Sequence, residues 1–153
     1  MNGNQLSDAL RSALRIEEES FVFYMEAAIR LPRPDLVSLM QSMAEGELDH
    51  VNRLRGILGE KPIGMEELGT ELMKRRPRGE WIVKSDPIPE DADERTVLTA
   101  ALKREQDTRR TYDMLATFTT YSRDFTGLSA FLAAEEAAHA AAIRARLDAL
   151  DKG

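Results

Sequence analysis

Apolar residues recur at three- and four-residue steps along four long stretches of this chain, the spacing of helices with one buried face. The first stretch covers about 6–30 and aligns Leu10, Ala13, Leu14, Phe21, Tyr24 and Ala28. Pro32 and Pro34 end it, and Asp35 stands where a new helix would be capped. The second, about 35–58, carries Leu36, Leu39, Met43, Leu54 and Ile57, with Gly59 suited to the position just beyond its end. The third follows the acidic Pro89-Glu90-Asp91 and is predicted over about 92–121. The fourth, about 124–150, passes through Leu128, Phe131, Leu132, Ile143 and Leu147, with an Ala-rich stretch between Ala133 and Ala142.

The segment 59–91 differs in character, with Pro62, Pro77, Pro87 and Pro89 and room for one short helix at about 65–76. Short connections make helices 1 and 2, and helices 3 and 4, antiparallel neighbours. The long middle segment then reads as a crossover along the bundle, because a 24-residue helix is about 36 Å long and some 35 residues span that easily. The expected architecture is all-α: one four-helix bundle over 1–153 with a long crossover between helices 2 and 3. On the crossover, Arg75-Arg76-Pro77-Arg78 and the following Trp81 read as a solvated turn with Trp81 against the bundle. The alternative is a docking element of an adaptor.

Composition narrows the chemistry. With 153 residues the chain fits one domain with a sizeable core. The absence of cysteine excludes disulfides, Cys-held zinc or iron–sulfur centres and a thiol nucleophile. A net charge of −6 argues against nucleic acid as the main partner. No apolar run approaches the roughly 20 residues of a membrane span. Met1-Asn2-Gly3-Asn4-Gln5 does not open a signal peptide, so a soluble cytoplasmic protein is expected.

The two halves repeat each other. At an offset of 88, Ala13-Leu14-Arg15 pairs with Ala101-Leu102-Lys103, Glu17 with Glu105, Tyr24 with Tyr112 and Ala28 with Ala116. At an offset of 89, Leu39 pairs with Leu128, Met43 with Leu132, Ala44 with Ala133, Glu47 with Glu136, His50 with His139 and Leu54 with Ile143. Each half therefore carries a Glu on its first helix and Glu-x-x-His on its second. Residues three apart share a helix face, so Glu47 with His50, and Glu136 with His139, can converge on one ion.

A single Glu-x-x-His is as often a pair of surface residues. Both histidines having Glu three positions earlier by accident is roughly a one-in-a-hundred event. These polar residues also lie on the apolar stripe, in line with Leu10, Ala13, Met43 and Leu54. Four carboxylates facing one another there repel by several kcal/mol per pair at an effective dielectric near 20. Desolvation adds to the cost. Arg15, Lys103 and Arg104 fall off the stripe, so no cation on it offsets the charge. Two divalent ions balance four carboxylates, with imidazole completing the shell.

This set resembles the ferritin-like di-iron carboxylate proteins, which draw one Glu from each of two helices and Glu-x-x-His from each of the other two. The helix order, the crossover and a Tyr seven residues after each first Glu resemble the rubrerythrin and bacterioferritin branches. The resemblance implies that Glu47 and Glu136 bridge two irons, that Glu17 and Glu105 bind one each, and that His50 and His139 complete one each. It implies an oxidoreductase in which two Fe(II) ions each give one electron to O2 or H2O2, with these six residues as its catalytic set. Tyr24 and Tyr112 are expected to hydrogen-bond ligand carboxylates across the core. Manganese and zinc suit the same ligands.

Two departures matter. A full rubrerythrin adds a rubredoxin-like domain with four Cys; none is present here, so an external electron donor is expected. Rubrerythrins also tend to carry an extra carboxylate three residues after the second-half Glu, where this chain has Thr108, with Ser20 as its counterpart. The site is thus of the symmetric bacterioferritin type. Glu135 reads as a surface residue rather than a support for a facing imidazole. A homodimer through an exposed helix face is expected, and a non-catalytic metal buffer or iron-storage subunit is the alternative function.

Overall fold

The computed structural model describes residues 3–31, 33–75, 88–89, 91–118 and 123–152. They form five helices: α1 (Gly3–Arg30), α2 (Pro34–Ile57), α3 (Met65–Arg75), α4 (Glu94–Phe118) and α5 (Arg123–Lys152). No strand occurs among the described residues. The helix ends predicted at 76 and 121 lie outside the described residues, as do Arg76, Pro77, Arg78 and Trp81.

Local chemistry explains the helix boundaries. Arg33 is extended at φ −101° and ψ 128°, as a residue before proline must be. Pro34 opens α2 at a position where its missing N–H costs nothing. Asp35 is therefore not the cap; it sits inside the first turn, where its charge suits the helix dipole. At the other end the Gly59 N–H bonds Gly56 O at 3.1 Å and the Glu60 N–H bonds Arg55 O at 2.8 Å. This is a Schellman closure, and it requires the positive φ of 78° that Gly59 adopts. The start of α4 is set by Asp93, whose Oδ1 accepts from Thr96 N at 2.8 Å.

Packing follows the two short connections. α1 lies against α2, α4 lies against α5, and the two hairpins meet chiefly along α1 and α4. α3 rests on α1. Asn52 clasps the intervening loop with both ends of its amide, donating to Ile63 O at 3.0 Å and accepting from Ile63 N at 2.8 Å. The core contains Ile16, Phe21, Leu36, Met40, Leu54, Leu68, Leu98 and Leu132. Each contributes on the order of 1.5–3 kcal/mol by leaving water. Leu39 is only half-buried and Ile57 is 53 % exposed. Ile57 reaches the last turn of α2, beyond the packed seam.

At one end of the bundle a surface ion network joins the two hairpins. Arg33 Nη1 lies 2.7 Å from Glu94 and its Nη2 3.1 Å from Asp35. Arg146 on α5 contacts both Asp35 and Glu94. Arg33, Asp35 and Arg146 are open to solvent, while the Glu94 side chain is only 12 % exposed. The network therefore acts mainly on register, with Glu94 its most sheltered member. Among the described residues, no helix is long and apolar enough to cross a membrane.

Candidate metal centre

The stripe of each long helix delivers its polar residues to one place in the interior. Glu17, Glu47, Glu105 and Glu136 are all buried, His50 is 5 % exposed, and His139 is slightly more open. His50 Nδ1 stands 3.4 Å from Glu17 Oε1, 3.7 Å from Glu47 Oε2 and 3.6 Å from Glu136 Oε1. His139 Nδ1 stands 3.2 Å from Glu47 Oε1, 3.6 Å from Glu105 Oε1 and 3.8 Å from Glu136 Oε2. The two imidazoles are nearly parallel, with centroids 6.0 Å apart and planes at 16°.

The result is two overlapping clusters. Glu17, Glu47, His50 and Glu136 form one, and Glu47, Glu105, Glu136 and His139 the other, each with one ligand atom per residue within 4.8 Å of the rest. Glu47 and Glu136 belong to both. All six residues singled out in the sequence thus meet, with Glu47 and Glu136 common to both clusters.

The tyrosines cross between hairpins. Tyr24 on α1 donates to Glu105 on α4. Tyr112 on α4 donates to Glu17 Oε1 on α1 at 2.9 Å, with Ala13 O at 3.3 Å. Burial, together with the neighbouring carboxylates, pushes both hydroxyls well above the usual tyrosine range. They stay neutral donors.

Apart from these two bonds the centre is unsatisfied. Glu17 Oε2, Glu105 Oε2, both oxygens of Glu47 and of Glu136, and Nδ1 of both histidines are buried with no hydrogen-bond partner. An orphaned buried group costs roughly 1–3 kcal/mol, and more when charged. Two carboxylates about 4 Å apart repel by some 4 kcal/mol at an effective dielectric of 20. Without a cation the site holds protons instead. Burial, then the charge of Glu17, pushes Glu47 up; burial, then Glu47 and Glu17, pushes Glu136 up. Burial alone would lower both histidines, but Glu136, Glu17 and Glu47 raise His50, and Glu105 and Glu136 raise His139. Burial likewise opposes the charge on Glu17, yet Glu47, His50 and the Tyr112 hydroxyl outweigh it and hold Glu17 low.

Hard oxygen and borderline nitrogen donors, converging and unpartnered, fit a pair of divalent cations. A rubrerythrin family model matches residues 8–147. The chain belongs to the rubrerythrin family. A comparison with curated proteins finds no match. This rubrerythrin-family domain thus carries a buried carboxylate–histidine cluster whose donor atoms could hold a pair of metal ions.

One residue near the site is not apparent from the sequence pattern. Arg104 does lie off the carboxylate stripe, but it is fully buried rather than facing water. Its Nε and Nη2 bond Ser20 Oγ at 3.2 and 3.1 Å, Nη2 lies 3.8 Å from Glu19 Oε1, and the guanidinium sits 5.9 Å from the Phe23 ring centroid. The repeat position of Arg104 is Ile16, which has no donor to offer. Correspondingly Thr108, the repeat partner of Ser20, has a buried hydroxyl without a partner. The only signal in the sequence is a Ser and an Arg at matching levels of α1 and α4. Glu135 is half-buried, not a fully exposed surface residue.

Proposed function

We propose that this chain is a di-iron oxidoreductase that oxidises Fe(II) with O2 or reduces H2O2. The observation that carries the reading is the set of eight orphaned buried atoms on six converging side chains. Polar atoms left unpaired in a protein interior cost stability, and a bound pair of ions would satisfy all eight at once.

Glu17 and His50 would hold one iron, Glu105 and His139 the other, with Glu47 and Glu136 shared between them. The pair of irons supplies two electrons to a small oxidant. The chain's own residues do the rest. Tyr24 and Tyr112 pin the terminal carboxylates, so each keeps one oxygen aimed at the centre. Glu47, Glu136 and the imidazoles would have to be deprotonated to hold the ions, so loading would release whatever protons these raised groups carry. The surrounding Ala13, Met43, Leu54, Ala101, Leu132 and Ile143 are buried apolar residues that exclude bulk water.

The test starts with the metal content of protein purified from its own host. Fe(II) is then added anaerobically to two per chain, followed by O2 or H2O2 in the presence of a reductant. Repeated turnover with either oxidant supports the reading. A single stoichiometric oxidation with no further cycles points to a buffer or storage subunit instead. Binding of no divalent ion overturns both.

A further inference from the structure

The two ends of the cluster are related by the sequence repeat, but they are not built alike. Along the seam between α2 and α5, His50 has the Phe131 ring edge-on at a centroid distance of 6.2 Å. The Arg53 guanidinium lies over that ring at 4.1 Å, a cation–π contact that holds the cover in place. The repeat positions of Phe131 and Arg53 are Ser42 and Ala142, and both are exposed. Neither supplies an aromatic cover for His139.

Gly46 widens the difference. A Cβ at this position would come within 3.1 Å of His139 Nε2 and 3.2 Å of its Cε1, tighter than most Cβ contacts. The imidazole therefore rests in the notch left by the missing side chain. At the repeat position stands Glu135. The outcome is visible in exposure: the His139 side chain is 17 % open to solvent and that of His50 only 7 %.

A helix interior normally disfavours glycine, by up to about 1 kcal/mol against alanine. Gly46 shows no positive φ that would call for it. Its place against the imidazole explains it. We propose that the Gly46 notch is the port through which divalent cations reach the centre. His139 is then the movable ligand at the mouth, while Phe131 and Arg53 seal the His50 end. Resting on the di-metal reading above, the proposal makes the two positions kinetically inequivalent: the Glu105–His139 position loads and exchanges first, and the Glu17–His50 position fills behind it.

Chelator-stripped protein mixed with Co(II) in a stopped-flow spectrophotometer, followed by ligand-field absorbance, tests this. Two cobalt ions per chain should bind in two resolved phases. Gly46→Ala should slow the fast phase about tenfold or more, since the added methyl fills the notch beside His139, while the total stays at two. Phe131→Ala should instead accelerate the slow phase. Circular dichroism checks that both variants keep the wild-type helix content. In the cation-free protein, diethyl pyrocarbonate should modify His139 several-fold faster than His50, read by peptide mass spectrometry. Two cobalt ions binding with phases that Gly46→Ala leaves unchanged would overturn the port and leave the metal centre standing. Binding of no cobalt at all would overturn the metal reading, and the port with it.

Discussion

The Tyr112 hydroxyl donates to Glu17 Oε1 at 2.9 Å across 95 positions of chain, while Tyr24 reaches Glu105 in the opposite direction. The hairpins are thus stitched together at their acids. Each tyrosine serves the carboxylate of the other half, seven residues from the carboxylate of its own.

Tyr112→Phe removes the donor and leaves Glu17 with two unpartnered oxygens. A hydrogen bond to a charged group is worth about 1.5–3 kcal/mol, so the cation-free protein should unfold at lower urea by that amount. Divalent ions should bind about 10- to 100-fold more weakly by calorimetry, because the carboxylate loses its orientation. Tyr24→Phe should act in parallel through Glu105. Unchanged affinity in both variants would show that the tyrosines only fill space.

Replacing both shared acids separates function from stability. Glu47→Leu with Glu136→Leu should abolish paired metal binding, measured by equilibrium dialysis. The same protein should be more stable than the cation-free wild type by about 1–4 kcal/mol, since buried like charges give way to apolar volume. A double variant that still binds two ions would remove Glu47 and Glu136 from the site.

The raised groups give the cation-free protein an unusual pH dependence. Glu47 and Glu136 titrate above the ordinary glutamate value of 4.5, and His50 and His139 above the ordinary 6.5. The folded state then binds more protons than the unfolded chain above those values, so stability falls as pH rises. Glu17, held low, acts oppositely, but only as pH drops below 4.5. Thermal melts without metal should therefore weaken from pH 5 towards pH 8. With Zn(II) the added stabilisation should grow over the same range, because binding releases protons. A flat profile in both series would mean that the acids are not buried against one another.

Arg104 is a buried cation between α1 and α4, against Ser20 and Glu19. Arg104→Ala should destabilise the fold by about 2–5 kcal/mol, chiefly through the cavity it opens, while Glu19 keeps Arg15 at 3.6 Å. Its effect on metal stoichiometry should be small, since all six candidate ligands are kept. Denaturant midpoints and dialysis on one preparation read both quantities.

Much of this protein was legible along the chain because a helix imposes its own period. Three- and four-residue spacing places Glu17 in line with Tyr24, and Glu47 with His50, whatever the helices later touch. The offsets of 88 and 89 tie the halves together, and Gly59 ends α2 because φ +78° suits glycine. Which faces meet is another matter, decided by how four helices rotate and cross as their cores interlock. Periodicity could not reveal that Arg104 turns inward, because its burial depends on a serine and a glutamate 84 and 85 positions away. Nor could it reveal that Gly46 and Phe131 lie on opposite imidazoles. Those contacts join α2 to α5, and only packed helices determine which side chain, or which missing one, stands beside each ligand.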